Sequence, residues 1–236
     1  MPVQPRRAYE SDAASETVRL SGVGFGYAAT HRALRDVSLT LPAGSFHFLT
    51  GASGAGKSTL LKLLTLVEQP TVGSLHLFGE DATAAPRRAL PAFRRRMGVV
   101  FQDFRLLNHL SVFDNVALPL RLTGGKQADY AANVEEMLDW VGLGERMDDR
   151  PPSLSGGEQQ RLAIARAVVT RPELILADEP TGSIDKAMGE RLLKLFQSLN
   201  RLGTTVLIAS HDEALARRSG ATVLRLEGGR LTGDAA

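Results

Sequence analysis

The stretch Gly51-Ala52-Ser53-Gly54-Ala55-Gly56-Lys57-Ser58-Thr59 lies between an apolar run at 46–49 and a leucine-rich segment at 60–67. This order predicts a strand, a tight loop and a helix. The spacing G-x-x-x-x-G-K-S is that of a phosphate-binding loop, whose glycines let backbone N–H groups and the helix N-terminus meet phosphate oxygens. All nine residues are therefore candidate nucleotide-binding residues, with Lys57 at the β/γ-phosphates and Ser58 on Mg²⁺.

A phosphate-binding loop predicts only a nucleoside triphosphate, because kinases, GTPases and transport motors share it. The alternative, a glycine-rich turn that contains a lysine by chance, is disfavoured by the strand and helix on either side. The remainder of the chain has to distinguish among these classes.

The composition is that of a globular protein. The chain has 236 residues, 43% hydrophobic and 23% charged, which suits one large or two small domains. Basic and acidic residues interleave along most of it, so we expect no nucleic-acid partner. The short cluster Arg94-Arg95-Arg96 is interpreted as solvated surface, with phosphate binding as the less favoured alternative.

Several classes of protein are excluded by what the sequence lacks. It has no cysteine, which excludes disulfides, thiolate metal sites and a cysteine nucleophile and fits a reducing compartment. It has no apolar run of about 18 residues, and residues 1–16 contain no apolar signal core. We therefore expect a chain that neither spans a membrane nor follows the usual export route.

The order of segments predicts an α/β fold. Short alternating runs at the start predict antiparallel strands, and continuous apolar runs later in the chain predict buried parallel strands. Between them, helical patterns follow one another without a strand, which predicts an inserted helical subdomain. The predicted parts are a mobile tail (1–16), a single domain (17–231) with its helical subdomain (about 104–152), antiparallel strands (18–20, 23–27, 33–41), a short strand (74–78), buried strands (97–101, 174–177, 205–209), an amphipathic helix (186–202) and a closing hairpin (222–226 with 230–231).

Four predicted strands end in polar groups: the phosphate-binding loop, Gln102, Asp178 with Glu179, and His211. Ligands of open parallel sheets bind at the carboxyl ends of the strands, so these groups should converge. Hydrolysis of a nucleoside triphosphate needs Mg²⁺, neutralised phosphate charge and a positioned water.

Each of these needs has a candidate residue. Asp178 and Gln102 are the candidate Mg²⁺ ligands beside Ser58, and Glu179 is the candidate base for the attacking water. Gln102 can also contact that water, and His211 can donate a hydrogen bond to the γ-phosphate. The alternative for Asp178 and Glu179 is a pair of surface carboxylates at a strand end.

A second anion-binding element is predicted at Leu154-Ser155-Gly156-Gly157-Glu158-Gln159-Gln160-Arg161, where a Ser-Gly-Gly turn opens an alanine-rich helix at 162–169. One bound nucleotide does not account for two phosphate sites in a chain. The second site is explained if it serves a neighbouring subunit.

The motifs in this order resemble those of ABC-type ATPase domains, and the resemblance covers about 17–231. It implies ATP and Mg²⁺ as ligands and catalysis by Lys57, Gln102, Glu179 and His211. It also implies an ATP-dependent, head-to-tail homodimer in which Ser155, Gly156, Gly157 and Glu158 contact the ATP of the opposite subunit. Tyr27 is similar to the aromatic residue that stacks on adenine, and Asp185 to a dimer-contact residue.

Runs at 48–64, 101–107 and 177–182 are similar to the cell-division branch of this family. That resemblance implies an FtsX-like, permease-type membrane protein as partner, cytoplasmic division proteins as further partners, and a peripheral position at the cytoplasmic face of the bacterial inner membrane. The run at 177–182 also occurs in lipoprotein-releasing and macrolide-export ATPases. Ser183 stands where asparagine is usual in this branch.

Three functions stay open on these residues. The first is an ATPase that drives shape changes in a membrane partner, of either the division or the export type. The second is an ATP-gated scaffold in which hydrolysis is incidental. A soluble ATPase of DNA repair or translation is less favoured, because such proteins usually carry two cassettes or long coiled-coil insertions.

The start of the helical subdomain carries a prediction about the partner. Leu106 and Leu107 belong to an apolar stretch that follows Gln102 directly. We expect part of this stretch to pack inside the subdomain and part to form a groove for a short helix of the membrane partner.

Overall fold

A computed structural model describes residues 16–28 and 31–232. Residues 1–15, which make up most of the predicted tail, lie outside the described residues, and Glu16 already pairs with Pro42 in a sheet. The strands are β1 (Glu16–Ala28), β2 (His31–Pro42), β3 (Phe46–Thr50), β4 (Val72–Leu77), β5 (Glu80–Asp81), β6 (Met97–Val100), β7 (Leu174–Asp178), β8 (Thr205–Ala209), β9 (Thr222–Glu227) and β10 (Arg230–Thr232). The α-helices are α1 (Lys57–Leu64), α2 (Leu90–Arg94), α3 (Val112–Leu122), α4 (Gln127–Trp140), α5 (Gly156–Val168), α6 (Lys186–Arg201) and α7 (Glu213–Ser219).

The larger sheet has six strands in the order β10-β9-β3-β8-β7-β6. All its neighbouring strands are parallel except β9 and β10, which form the predicted closing hairpin. Every residue of β8 is buried, as expected for a strand covered on both faces. The predicted α/β core with a mostly parallel sheet is confirmed, and the carboxyl ends of β3, β8, β7 and β6 lie side by side along one edge.

The smaller sheet is antiparallel, in the order β2-β1-β4-β5. The two short strands predicted at 18–20 and 23–27 are one strand, β1, interrupted by a register shift between Leu20 and Val23. A bulge of this kind bends a strand and increases its twist without ending it. The leucines of α1 pack in one hydrophobic cluster with residues of both sheets, so the phosphate-binding loop is held between them.

The helical subdomain consists of α3, α4 and part of α5, which share a buried cluster. Ser111 caps α3 by accepting a hydrogen bond from the Asp114 N–H. Asn115 is fully buried, and its side-chain amide bonds both the N–H and the carbonyl of Leu107. The subdomain thus fixes the backbone of the stretch that follows Gln102.

Three elements are absent from the sequence prediction: β5, α2 and α7. Each is seven residues long or shorter, so neither helical nor strand periodicity has room to develop. The helices α1 and α5 also begin earlier than predicted, at Lys57 and Gly156, because their first turns are formed by the motif loops themselves. None of the helices in the described parts of the chain combines the length and apolarity that a membrane crossing needs.

Candidate nucleotide-binding site

Close backbone contacts require the glycines of the loop between β3 and α1. Gly51 has φ of +149°, and a Cβ there would lie 2.2 Å from the Leu226 carbonyl oxygen. Gly56 has φ of +110°, and its Cβ would lie 2.8 Å from the Ala33 carbonyl oxygen. The loop therefore fits between β2 and β9 only with glycine at these two positions.

Lys57 is the first residue of α1, and its ammonium group folds back over the loop. Its Nζ donates to the carbonyl oxygens of Gly51 at 2.7 Å and Ala52 at 3.1 Å. The positive charge and the positive end of the helix dipole consequently occupy the same place, which favours an anion.

Asp178 ends β7 directly across from Ser58. Burial raises the pKa of the Asp178 carboxyl, and a hydrogen bond with Ser58 opposes that rise. The charges of Glu179 and Asp103 raise this pKa further, whereas Lys57 lowers it. A half-buried carboxylate beside a hydroxyl is a donor set that suits a hard cation such as Mg²⁺.

Glu179 has a left-handed backbone, with φ of +48°. Its Oε1 accepts a hydrogen bond from the His211 N–H at 3.0 Å and lies 2.8 Å from His211 Nδ1, while its Oε2 accepts from Ser210 Oγ at 3.2 Å. Only 16% of the Glu179 side chain is exposed, against 75% of that of His211. The candidate base is therefore positioned by the end of β8, through contacts that the sequence did not predict for Ser210.

Two glutamines reach the same edge of the sheet. Gln102 is exposed just after the end of β6 and lines the cleft. Gln160, which the sequence prediction did not name as a site residue, is 1% exposed and donates to the Glu179 carbonyl oxygen at 3.1 Å. A polar residue on the buried face of α5 was the available signal for Gln160.

The cleft formed by these groups has a volume of about 1000 Å³. It brings together the loop, Gln102, Asp178, Glu179 and His211, and Tyr27 stands at its rim with 53% exposure. The Tyr27 ring packs edge-on against Phe25, and its hydroxyl accepts a hydrogen bond from Lys62 Nζ. Arg35 also lines the cleft, and nothing in the sequence pattern singled it out.

The second predicted anion-binding element, Ser155-Gly156-Gly157-Glu158, lies elsewhere, and we call it the signature segment. Ser155 and Glu158 form a reciprocal capping box at the start of α5: the Glu158 carboxylate accepts from the Ser155 N–H, and Ser155 Oγ accepts from the Glu158 N–H. The hydrogen bonds that the Glu158 carboxylate accepts from the Ser155 N–H and from the Ser155 hydroxyl lower the pKa of Glu158. Among the described residues, those lining the cleft do not include Ser155, Gly156, Gly157 or Glu158. The segment thus presents a capped helix N-terminus that is separate from the chain's own cleft.

Asp185 has a local structural role as well. Its side chain caps α6 by accepting a hydrogen bond from the Met188 N–H at 2.9 Å. It stands just beyond Gly182 and Ser183, which line the cleft.

An apolar groove of about 630 Å³ lies between the larger sheet and the helical subdomain. Leu107, Leu118 and Leu122 line it from the subdomain, and Pro91, Arg95 and Val99 line it from the other side. Leu106 does not line this groove; it packs against the buried cluster of the subdomain. The two neighbouring leucines of the predicted docking stretch therefore have different roles.

The sequence matches the family described as ABC transporter over residues 34–182. The cell division ATP-binding protein FtsE of Escherichia coli (strain K12) is 45% identical over 216 residues, which are 92% of this chain and 97% of that protein. FtsE of Haemophilus influenzae is 45% identical over 215 residues, 91% of this chain and 99% of that protein. The methionine import ATP-binding protein MetN 1 of Salmonella choleraesuis is 42% identical over 86% of this chain and 60% of that protein.

Two solved structures are similar as well. The dimeric structure of MJ0796, a bacterial ABC transporter cassette, matches with a TM-score of 0.87 and 33% identity, covering 92% of this chain and 97% of that one. A dimeric post-hydrolysis state of MJ0796 bound to ADP and Pi matches with a TM-score of 0.86 at the same identity and coverage.

Proposed function

We propose that this chain, which belongs to the ABC transporter family and is an ATPase, drives a membrane partner of the cell-division type. The observation that carries the proposal is the convergence of Lys57, Asp178 and Glu179 on one cleft at the carboxyl edge of a parallel sheet. The partner is an FtsX-like permease, as the similarity to FtsE supports. The chain then works at the cytoplasmic face of the inner membrane, held there by its partner.

The cleft residues divide the work of hydrolysis. The loop and Lys57 hold the phosphates, and Tyr27 stacks on the base. Ser58, Asp178 and Gln102 would hold Mg²⁺, which would neutralise phosphate charge. Glu179 accepts the proton of the attacking water, since its carboxylate is aimed by Ser210 and by the His211 N–H. His211, once it turns from Glu179, donates to the γ-phosphate.

The separate position of the signature segment supports a shared site. A capped helix N-terminus that stands apart from its own cleft suits the phosphates of a second molecule's ATP. We propose that ATP closes two chains into a two-fold symmetric homodimer, in which Ser155, Gly156 and Gly157 of each chain contact the ATP of the other. Asp185, beside the cleft, lies at the same contact. The Glu158 side chain contributes by capping the helix that presents these groups.

Two substitutions test this assignment. Lys57→Ala is expected to abolish ATP binding, whereas Glu179→Gln should keep ATP binding and lose about 10²–10⁴-fold in phosphate release, as for removal of a general base. Glu179→Gln with Mg-ATP should also accumulate as a dimer in light scattering. Near parental turnover of Glu179→Gln would show that another group is the base, and a strictly monomeric Glu179→Gln would exclude the shared site.

The apolar groove is the proposed docking site for a short cytoplasmic helix of the membrane partner. Its lining is apolar on the subdomain side, and an amphipathic helix can lay its apolar face into such a groove. Gln102, at the edge of the ATP cleft, precedes the groove residue Leu107 by only five positions. Nucleotide state can thus reach the groove through one short segment.

The scaffold and export alternatives predict different behaviour. If hydrolysis is incidental, Glu179→Gln should support cell division as well as the parent chain does. If the partner is an exporter, an FtsX-like protein should fail to co-purify with the chain while a lipoprotein-releasing or macrolide-export permease succeeds.

A further inference from the structure

One side of the groove is formed by a segment that carries positive charges and no negative ones. Residues 82–102 contain five arginines and no aspartate, glutamate or lysine. From the sequence, the cluster Arg94-Arg95-Arg96 within this segment is interpreted as solvated surface. The structure divides the five arginines into two groups with different surroundings.

Arg94 and Arg96 have structural partners. The Arg94 guanidinium donates to the carbonyl oxygens of Leu66 at 2.9 Å and Thr65 at 3.3 Å, which lie just beyond α1. Arg96 forms a two-pronged ion pair with Glu173, at 2.9 and 3.0 Å. These contacts account for two of the five charges.

Arg87, Arg88 and Arg95 have no such role. All three side chains are exposed, and within the described ranges no carboxylate lies within ion-pairing distance of them. Arg87 and Arg88 are adjacent in the chain, and their like charges repel each other, a cost that an anionic partner would remove. We call these three residues the arginine edge.

The arginine edge reaches the apolar groove at Arg95. Arg95 lines the groove together with Pro91, and Leu122 lines the opposite wall while 70% exposed. Exposed arginines next to an exposed leucine suit the boundary between lipid headgroups and acyl chains, where both kinds of side chain find partners. The guanidinium group also matches a phosphate oxygen pair in shape and charge.

We propose that the arginine edge binds anionic phospholipid headgroups of the membrane that contains the partner. The inference rests on the proposed docking of a membrane protein in the groove, because that docking turns the rim of the groove toward the bilayer. The edge then acts as a second, electrostatic attachment that orients the ATPase beneath its partner. Phosphate of the lipid headgroup is the recognised group, and its negative charge complements the three unpaired arginines.

The expected effect follows from the number of charges. Each basic residue near an anionic membrane surface contributes about 1 kcal/mol, and about 1.4 kcal/mol corresponds to a tenfold change. Replacing the three arginines should therefore weaken binding to anionic vesicles about 100-fold at low salt. The parent chain should bind more weakly as salt rises, because ions screen such contacts.

The test is flotation of the complete chain with vesicles of phosphatidylcholine, with and without phosphatidylglycerol. The edge variant replaces Arg87, Arg88 and Arg95 by glutamine. The control variant replaces Arg191, Lys194 and Arg201 of α6 by glutamine, which removes the same charge from exposed positions that do not line the groove. ATP binding by both variants establishes that they are folded.

The proposal expects that the parent and the control variant float with anionic vesicles only, and that the edge variant does not. Equal losses in both variants would mean attraction by net charge alone and would overturn it. A parent chain that does not bind anionic vesicles would also overturn the proposal. So would an edge variant that floats normally with vesicles but loses its membrane partner in detergent, because the three arginines would then contact protein rather than lipid. Because the vesicles contain no partner, a negative result here leaves the proposed ATPase function and its own test unaffected.

Discussion

Arg166 of α5 is expected to be a major stabilising residue. Its guanidinium donates to the carbonyl oxygens of Arg105 at 2.7 Å and Phe104 at 2.8 Å. Both carbonyls belong to residues in the left-handed region, with φ of +48° and +58°. Burial lowers the pKa of Arg166, so the charge is held in a partly desolvated place by these two carbonyl dipoles.

Replacing Arg166 by methionine keeps most of the packing and removes both hydrogen bonds. A hydrogen bond to a charged group contributes about 1.5–3 kcal/mol, and the relief of the desolvation cost offsets part of the two. We expect Arg166→Met to lower the free energy of unfolding by about 2–4 kcal/mol, measured by urea denaturation. Arg166→Lys keeps the positive charge but lacks the two separate guanidinium donors, so it should lower the free energy of unfolding by less.

A second pair of variants tests whether the turn that Arg166 contacts is strained. In the Arg166→Met background, Arg105→Gly should recover about 1 kcal/mol relative to Arg105→Ala, because glycine adopts the left-handed backbone at no steric cost. Both variants lose the same stacking of Arg105 on Phe101. A loss of only about 0.5 kcal/mol for Arg166→Met, as for an ordinary surface change, would refute the reasoning.

Three further outcomes are expected. His47 is buried in β3, and burial lowers its pKa below the ordinary value of 6.5. As the pH falls below the pKa of this histidine in the unfolded chain, the unfolded state takes up a proton that the folded state does not, so the free energy of unfolding decreases. His47→Gln should therefore flatten the decline in urea stability below about pH 6.5. A Cβ at Gly98 would lie 2.1 Å from the Ala167 carbonyl oxygen, so Gly98→Ala should cost about 1–3 kcal/mol in the same assay. Leu107→Asp should weaken co-purification of the membrane partner by about tenfold or more and leave ATP binding unchanged. The control Leu202→Asp, at an exposed position outside the groove, should change neither co-purification nor ATP binding. If Leu107→Asp unfolds the chain, as we expect of Leu106→Asp, the groove has been assigned to the wrong residue.

The parts of the site that the sequence predicted are those fixed by local patterns. The phosphate-binding loop has its strand, glycines and helix within twenty residues, so its conformation follows from local steric rules. The apolar run at 174–177 identified a buried strand, and its end identified the position of Asp178 and Glu179. Because neighbouring parallel strands end at the same edge, the sequence also placed Asp178 and Glu179 beside the end of another strand, as the register of β7 on β8 confirms.

The parts that the sequence did not predict depend on contacts between distant segments. Arg35 enters the cleft only because β2 passes beside the loop. Ser210 contacts Glu179 only because β8, which it follows, lies next to β7, which Glu179 follows. The predicted docking stretch shows the same limit, since apolarity alone does not distinguish Leu106, which packs half-buried against the subdomain cluster, from Leu107, which lines the groove. Arg94 and Arg96 likewise appeared as solvated charge until their partners were in place.

Helix α5 explains how these distant segments act together. Its N-terminus carries the signature segment, Gln160 bonds the Glu179 carbonyl, and Arg166 bonds the turn that follows Gln102. The last two attachments are separated by about 9 Å along one helix. In the proposed homodimer, the ATP of the neighbouring chain contacts the N-terminus of α5, and we expect a shift of α5 to move the candidate base and the wall of the groove together. The buried Gln160 and the half-buried Arg166, rather than the motif residues alone, connect the cleft to the apolar groove.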